Sequence, residues 1–191
     1  MKKIILASAS PRRVALLKQI GIDCMVMPAD IDETALVNES PAAYVLRLAA
    51  QKAQAIVAKS PNLNIVILAA DTTVALGLQI LGKPENDDDA FNMLKRLSGS
   101  THQVHTAIAV AFNGKLETVL NSTLVEMMPL TDAMIGTYIT SGEHKDKAGS
   151  YAIQGLAACW IKKVTGSYSG VMGLPLHETA LLLEKTGYYR N

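Results

Sequence analysis

The segment Ser8-Ala9-Ser10-Pro11-Arg12-Arg13 places two hydroxyls and two guanidiniums where an apolar run gives way to a helix start. Free backbone N–H groups and the helix dipole at such a start favour an anion. A phosphate site is one reading; an N-cap serine followed by solvated arginines is the other, and this segment alone leaves both open. Asp71 ends the apolar run over residues 65–70, and open α/β sheets gather functional groups at the C-terminal edges of their strands. The following Thr72-Thr73-Val74-Ala75-Leu76 is extended in character, which argues against a helix-cap role and favours chemistry at the carboxylate. Mg2+ or Mn2+ is its natural companion, because hard divalent cations take carboxylate and phosphate oxygens.

Other polar groups say less individually. Asp30, Asp32 and Glu33 form a second acidic group in a loop, ordinarily a solvated turn. Gly82-Lys83-Pro84 is a tight turn presenting one lysine, without the glycine-rich run of a P-loop. Lys52 is read as a surface lysine on the polar side of its helix. The stretch Asp146-Lys147-Ala148-Gly149-Ser150-Tyr151-Ala152-Ile153-Gln154-Gly155 crowds charge, glycine, tyrosine and glutamine into a segment without clear periodicity, as binding loops do. His102 and His105 alternate along a strand start, suiting edge placement better than metal binding, and His144 is read as a solvent-exposed loop histidine without a role.

These groups need a scaffold of strands and helices. Residues 4–7 form a β run, followed by Ser10 as N-cap and Pro11 at the first helical position of a helix that stops at Gly21. Ser40-Pro41 repeats that signal for a helix to about Lys59, with Val45, Leu48, Ala49, Ala53 and Ile56 on one face. Residues 65–70, flanked by Pro61-Asn62 and Asp71, are a central strand, with a shorter extended piece over 73–76. A helix over 87–97 precedes two β runs, 103–112 and 115–127, joined by the hairpin signal Asn113-Gly114. Thr131 caps a helix to about Ser141, residues 159–164 read as strand, and a closing helix over 175–186 ends at Gly187.

The bulk composition excludes several classes. Across 191 residues, 49% hydrophobic, the chain can bury the core of one folded unit. With 18 Lys+Arg against 17 Asp+Glu the net charge is +1, so anion binding must be local. Cys24 and Cys159 lack a CxxC or a nearby His pair and read as buried reduced thiols. Met1-Lys2-Lys3 and the apolar residues after it imitate a secretory leader, but the stretch is short and Arg12-Arg13 interrupts it. No segment reaches the roughly 20 apolar residues of a membrane span. A soluble, cytoplasmic protein is expected.

In order along the chain, Ser8 to Arg13, Ala70-Asp71-Thr72, Gly82-Lys83-Pro84, Asp146 to Gly155 and Gly173-Leu174-Pro175-Leu176 resemble the signature blocks of the Maf nucleotide pyrophosphatases. The resemblance implies a single domain over residues 1–191 with an elongated α/β fold like that of the inosine triphosphate pyrophosphatases (the Maf/Ham1 fold). That fold is a mixed β-sheet flanked by helices, in two lobes around a central nucleotide cleft, and homodimers are frequent. It implies Asp71 as the catalytic proton acceptor, Glu33 and Asp71 as ligands of Mg2+ or Mn2+, and Ser8, Arg13, Lys52 and Lys83 as phosphate-binding groups. Arg12, Thr72 and Gln154 are similar to the specificity residues of the branch that hydrolyses dTTP and UTP. The implied partner is a nucleoside triphosphate, with no stable nucleic acid and no membrane. A nucleotide- or nucleic-acid-binding regulator of septum formation, without hydrolysis, is the alternative; with no basic stripe and only 5% aromatic residues it is poorly supported. A dinucleotide-binding oxidoreductase lacks its GxGxxG after the first strand. The chain departs from the family pattern at His144-Lys145 and at Gly170.

Overall fold

A computed structural model describes residues 3–60 and 64–188; the Pro61-Asn62 turn signal lies outside them. In chain order the elements are β1 (Lys3–Leu6), α1 (Pro11–Gln19), β2 (Met25–Val26), α2 (Pro41–Lys59), β3 (Ile65–Leu76), β4 (Gln79–Leu81), α3 (Asp87–Leu97), β5 (Thr101–Phe112), β6 (Lys115–Met127), α4 (Asp132–Thr140), β7 (Ile161–Thr165), α5 (Tyr168–Val171) and α6 (Leu176–Lys185). Local chemistry sets many of the boundaries. Ser40 Oγ accepts from Ala43 N–H at 3.3 Å to start α2, Asn86 accepts from Asp89 N–H at 2.8 Å to start α3, and Thr131 caps α4. Asn113 and Gly114, with φ of 49° and 75°, supply the left-handed pair that a two-residue hairpin between β5 and β6 requires.

The strands join one mixed, seven-stranded sheet in the order β2-β1-β3-β5-β6-β7, with β4 beside β3, and helices pack on it. Only β1–β2 and β1–β3 pair in parallel. The strand parities divide the core in two. On one face Ile67, Ala69, Ala107, Ala109 and Ala111 meet Val45, Ala49, Ala53 and Ile56 of α2. On the other, Val66, Leu68, Ile108 and Val110 meet Leu16 and Leu17 of α1, Leu94 and Leu97 of α3, and Leu182 and Leu183 of α6. The alanines on the first face let α2 lie close to the sheet.

One irregularity positions the site. β1 pairs with β3 over residues 65–68 and β4 over residues 74–76, while β5 runs along the opposite edge from 67 to 75. Residues 69–73 of β3 therefore have a strand neighbour on one side only, and Asp71 sits at the middle of the bare stretch.

Several expectations are corrected. β3 is one 12-residue strand through Asp71, not two pieces, because Thr72 and Thr73 keep their ladder to Thr106 and His105 of β5. His102 and His105 lie on the interior strand β5 and are buried, not at an edge. Cys24 is half-buried and Cys159 exposed, because Leu156–Trp160 forms a 3-10 turn and β7 starts only at Ile161. Ser10 precedes α1 as expected but makes no side-chain cap.

Gly149 tests how tightly the 146–155 loop is fitted. Its φ is +66°, its N–H donates to Gly82 O at 3.0 Å, and a Cβ would stand 2.9 Å from the Val74 side chain. Gly149→Ala is expected to cost about 2–4 kcal/mol in urea unfolding, from left-handed strain and overpacking together. In a Val74→Ala background only the backbone share, about 1–2 kcal/mol, should remain. Equal losses in both backgrounds would show that the contact with Val74 does not matter.

Candidate active site

A cavity of about 830 Å³ opens along the bare edge of β3, within the usual range for small-molecule sites. It gathers every site residue singled out in the sequence: Ser8, Arg12 and Arg13 after β1, Glu33 from the loop before α2, Lys52 from α2, Asp71 and Thr72 from β3, Lys83 after β4, and Gln154. Successive strand residues point to opposite faces, yet Asp71 and Thr72 both line it, because it wraps an edge with no strand beyond. Arg12, Arg13, Lys52, Lys83 and Lys147 outnumber Glu33, Asp71 and Asp146 around the walls. A nearly neutral chain thus carries a locally positive cleft suited to a polyanion.

At its floor Lys52 Nζ donates to Asp71 Oδ1 at 2.6 Å and lies 2.7 Å from Glu33 Oε1. Lys52 is buried, contrary to the surface placement expected of it. Its spacing from Val45, Leu48, Ala49 and Ile56 sets it in the apolar stripe of α2, a signal present in the sequence. Burial pushes the Asp71 carboxyl above its ordinary value, against the lowering by Lys52 and Arg13 and with help from Glu33. At Glu33 burial acts upward too, but the hydrogen bond and charge of Lys52, with Lys83 and Arg13, together hold the carboxyl below its usual range. The two carboxylates on one ammonium are therefore unequal, Asp71 being the better proton acceptor. Asp30 and Asp32 stay exposed at the loop surface.

Two carboxylates converging beside phosphate-binding groups fit the donor chemistry of Mg2+ or Mn2+, which often take one or two carboxylates and fill the rest of their shell with phosphate oxygens and water. Among the described residues there is no group of three or more His, Cys, Asp or Glu side chains that could hold an ion alone.

Arg13 is buried and organises the opposite wall. Its Nε donates to Gly173 O at 2.7 Å, Nη1 to Ser8 Oγ at 2.9 Å and Nη2 to Thr72 Oγ1 at 3.2 Å. Ser8 Oγ also accepts from Ser10 N–H at 3.2 Å. Both lone pairs of that hydroxyl are engaged, so it has only its hydrogen to offer the cleft, as a phosphate oxygen requires. Arg12 is half-buried, its Nε 3.4 Å from Met172 O.

The 146–155 loop is irregular but held. Asp146, Gly149 and Ser150 take left-handed backbone conformations. The Tyr151 hydroxyl meets His102 Nε2 at 2.7 Å, Ala152 N–H donates to the Tyr138 hydroxyl at 3.2 Å, and Leu156 N–H donates to Glu143 Oε2 at 2.8 Å. A Cβ on Gly155 would fall 2.0 Å from that Glu143 oxygen. Gln154 is left exposed at the tip. His144 is buried rather than solvated, with Nε2 2.9 Å from Asp87 Oδ1, which ties the loop's approach to the first turn of α3. At Gly170, a Cβ would come within 2.7 Å of Asn121 Oδ1, so a larger residue there needs Asn121 to move.

Tyr44 also lines the cleft and is not singled out by the sequence, while Lys147 and Gly173 line it too and fall in segments the sequence marks without giving either a role of its own. Tyr44 donates to the Glu33 backbone oxygen at 2.9 Å, and its phenol is pushed up to about 12 by burial and by the charges of Asp71 and Glu33, so it remains a donor. Tyrosine at that point of an amphipathic helix carries no signal separating it from core.

Sheet, bare strand edge and positive cleft define an α/β protein built to hold a phosphorylated small molecule. The chain belongs to the Maf-like protein family, whose pattern matches residues 3–186. It is 52% identical, over 98% of its length and 94% of the relative's, to a dTTP/UTP pyrophosphatase of Methylobacillus flagellatus. Another protein of that name, from Pseudoalteromonas atlantica, is 50% identical over 95% of this chain and 96% of its own. Among solved structures, the Staphylococcus aureus Ham1 protein overlaps 66% of this chain and 72% of its own, at 17% identity and a TM-score of 0.47.

Because Asp71 is raised by burial and lowered by Lys52, Lys52→Met should raise its pKa further. Carboxylate-selective 13C NMR titration reads this directly, with Asp71→Asn identifying the resonance. A pKa that fell or stayed in place would show that Lys52 does not control the ionisation of Asp71.

Proposed function

We propose that the chain is a nucleoside triphosphate pyrophosphatase that hydrolyses dTTP and UTP to the monophosphate and pyrophosphate. The observation that carries this reading is the meeting of Asp71, Lys52 and Glu33 at the floor of a positive cleft in a Maf-family chain. The named activity of the relatives favours it over binding without hydrolysis.

In this reading Asp71 takes the proton of a water whose oxygen attacks the α phosphorus, while the bond from that phosphorus to the α–β bridging oxygen breaks. Pyrophosphate leaves with the bonding pair. Burial makes Asp71 a stronger base than an exposed aspartate, and the charge and hydrogen bond of Lys52 oppose that rise. The Ser8 hydroxyl, Lys52 and Lys83 would face the charge developing on the phosphates, and Arg13 holds Ser8 in place. A divalent cation held by Asp71 and Glu33 would withdraw further charge from the phosphates. Gln154, Thr72 and Arg12, all lining the cleft, would meet the base end of the nucleotide. The working enzyme is taken to be one folded unit, cytoplasmic and homodimeric. All strands of the described residues joining one sheet support the first point, the sequence's lack of a leader-length or membrane-length apolar stretch the second, and the family resemblance the third. Among the described residues no helix is long and apolar enough to cross a membrane.

Asp71→Asn should lower metal-dependent pyrophosphate release from dTTP and UTP by roughly 100-fold or more, measured as phosphate after added inorganic pyrophosphatase. A variant that kept full activity would rule out Asp71 as the proton acceptor. EDTA should stop turnover and excess Mg2+ or Mn2+ restore it. Gln154→Glu, which replaces an amide able to donate with an acceptor-only carboxylate, should reduce kcat/KM for both nucleotides about tenfold; unchanged rates would remove Gln154 from base recognition.

A further inference from the structure

The hydroxyl of Thr72 belongs to a hydrogen-bond chain whose direction is fixed. Thr106, fully buried on β5, donates its only hydroxyl hydrogen to Gly170 O at 2.7 Å. Thr106 Oγ1 is also 2.9 Å from Thr72 Oγ1. Since the Thr106 hydrogen is engaged, Thr72 must be the donor between them. Arg13 Nη2, which can only donate, meets Thr72 Oγ1 at 3.2 Å and occupies one of its lone pairs. Thr72 is therefore left with a single lone pair, no free hydrogen, and a place in the cleft wall. Gly173 helps keep that oxygen accessible, since a Cβ there would sit 3.5 Å from it.

Uracil and thymine carry a hydrogen at N3, whereas cytosine has a lone pair there. Gln154 cannot by itself separate these bases. Its exposed amide can turn to offer either N–H or C=O, to a ring carbonyl at C4 or to an amino group. A hydroxyl locked as an acceptor can separate them: it takes an N3–H and opposes a lone pair.

Resting on the pyrimidine nucleotide reading above, we infer that Thr106 is a specificity-determining positioning residue. It acts through Thr72, fixing that hydroxyl as an acceptor for the N3–H of uracil and thymine and so disfavouring cytosine. Thr106 does not line the cleft and has no contact with substrate in this assignment. Its neighbours on the same row of β5, Val104 and Ile108, are core residues, and a threonine between them is explained by the chain of donors.

The test compares kcat/KM for UTP and CTP in the intact protein and in three variants. Wild type should favour UTP by about tenfold or more, the scale set by one hydrogen bond lost and one unpaired buried acceptor. Thr106→Val frees the Thr72 hydrogen to turn toward the cleft. CTP turnover should then rise, UTP turnover should change less than about threefold, and the preference should fall close to parity. Thr106→Ser keeps the donor and should keep the preference. If Thr106→Val does not fold, Thr106→Ala carries the same expectation without pressing a methyl toward Gly170. A merely structural role would lower both substrates in parallel, and that result, or a wild type indifferent between UTP and CTP, overturns the inference. Absence of pyrophosphate release from every nucleotide would instead overturn the pyrophosphatase reading on which it rests.

Discussion

A buried ammonium shared by two carboxylates is the interaction around which the cleft is arranged. Lys52 has left water to reach buried Asp71 and the more exposed Glu33, and removing the ammonium would leave two like charges facing each other, Asp71 in a medium where an unpaired charge costs several kcal/mol. The alanines of the α2 face allow this approach, since larger residues at 69, 107, 109 and 111 would hold the helix farther from the sheet. Packing on that face and charge in the cleft are thus one constraint. The bare edge of β3 satisfies it, because a strand beside residues 69–73 would fill the space the charges face.

Arg13 plays the corresponding part on the other wall, but through hydroxyls. By giving one donor to Ser8 and another to Thr72 it leaves the first, with the Ser10 N–H on its other lone pair, able only to donate and, with Thr106 behind it, the second able only to accept. A flexible hydroxyl is ordinarily both, and each freedom removed before substrate arrives is ordering that binding need not do. The expectation that Arg13 is a phosphate ligand is therefore sharpened: each nitrogen of its guanidinium is already engaged within the protein, and its first effect is to set what its neighbours present.

Much of this was legible in the sequence where local chemistry decides it. Pro41 to Lys59, the Asn113-Gly114 hairpin and the Asp-rich start of α3 carry their own signals, and the structure follows them. What failed was the environment of polar residues. From the sequence, Asp71-Thr72 reads as a break between residues 65–70 and 73–76, His102 and His105 read as edge residues and Lys52 as a surface lysine, because charge and imidazole usually stay near water. Each is instead a polar residue in an apolar row with a partner distant in sequence: Tyr151 for His102, Ser122 for His105, Asp71 for Lys52. Thr106, between Val104 and Ile108, belongs with them. The periodicity was sufficient to bury these residues; the partners, set by tertiary pairing, were not readable.

In the proposed function, the chemistry at Asp71 and the contact of Gln154 with the base rest on different parts of the fold. Asp71 and Lys52 sit on a strand and a long helix joined through the core, while Gln154 sits on a loop whose left-handed residues would be costly in isolation. That loop is kept in place by bonds to three separate elements: Tyr151 to β5, Ala152 to the α4 tyrosine, and Gly149 to the turn after β4 that carries Lys83. The Lys83 turn and the loop carrying Gln154 are therefore fastened to each other, so under the roles proposed for them a base that displaces the loop also disturbs the lysine proposed to face the phosphates. In the proposed function, discrimination by Gln154 at one end of a nucleotide can in this way reach the turnover at the other without any change at Asp71, and base preference can shift through the loop as well as through Thr72 and Thr106 without a new scaffold.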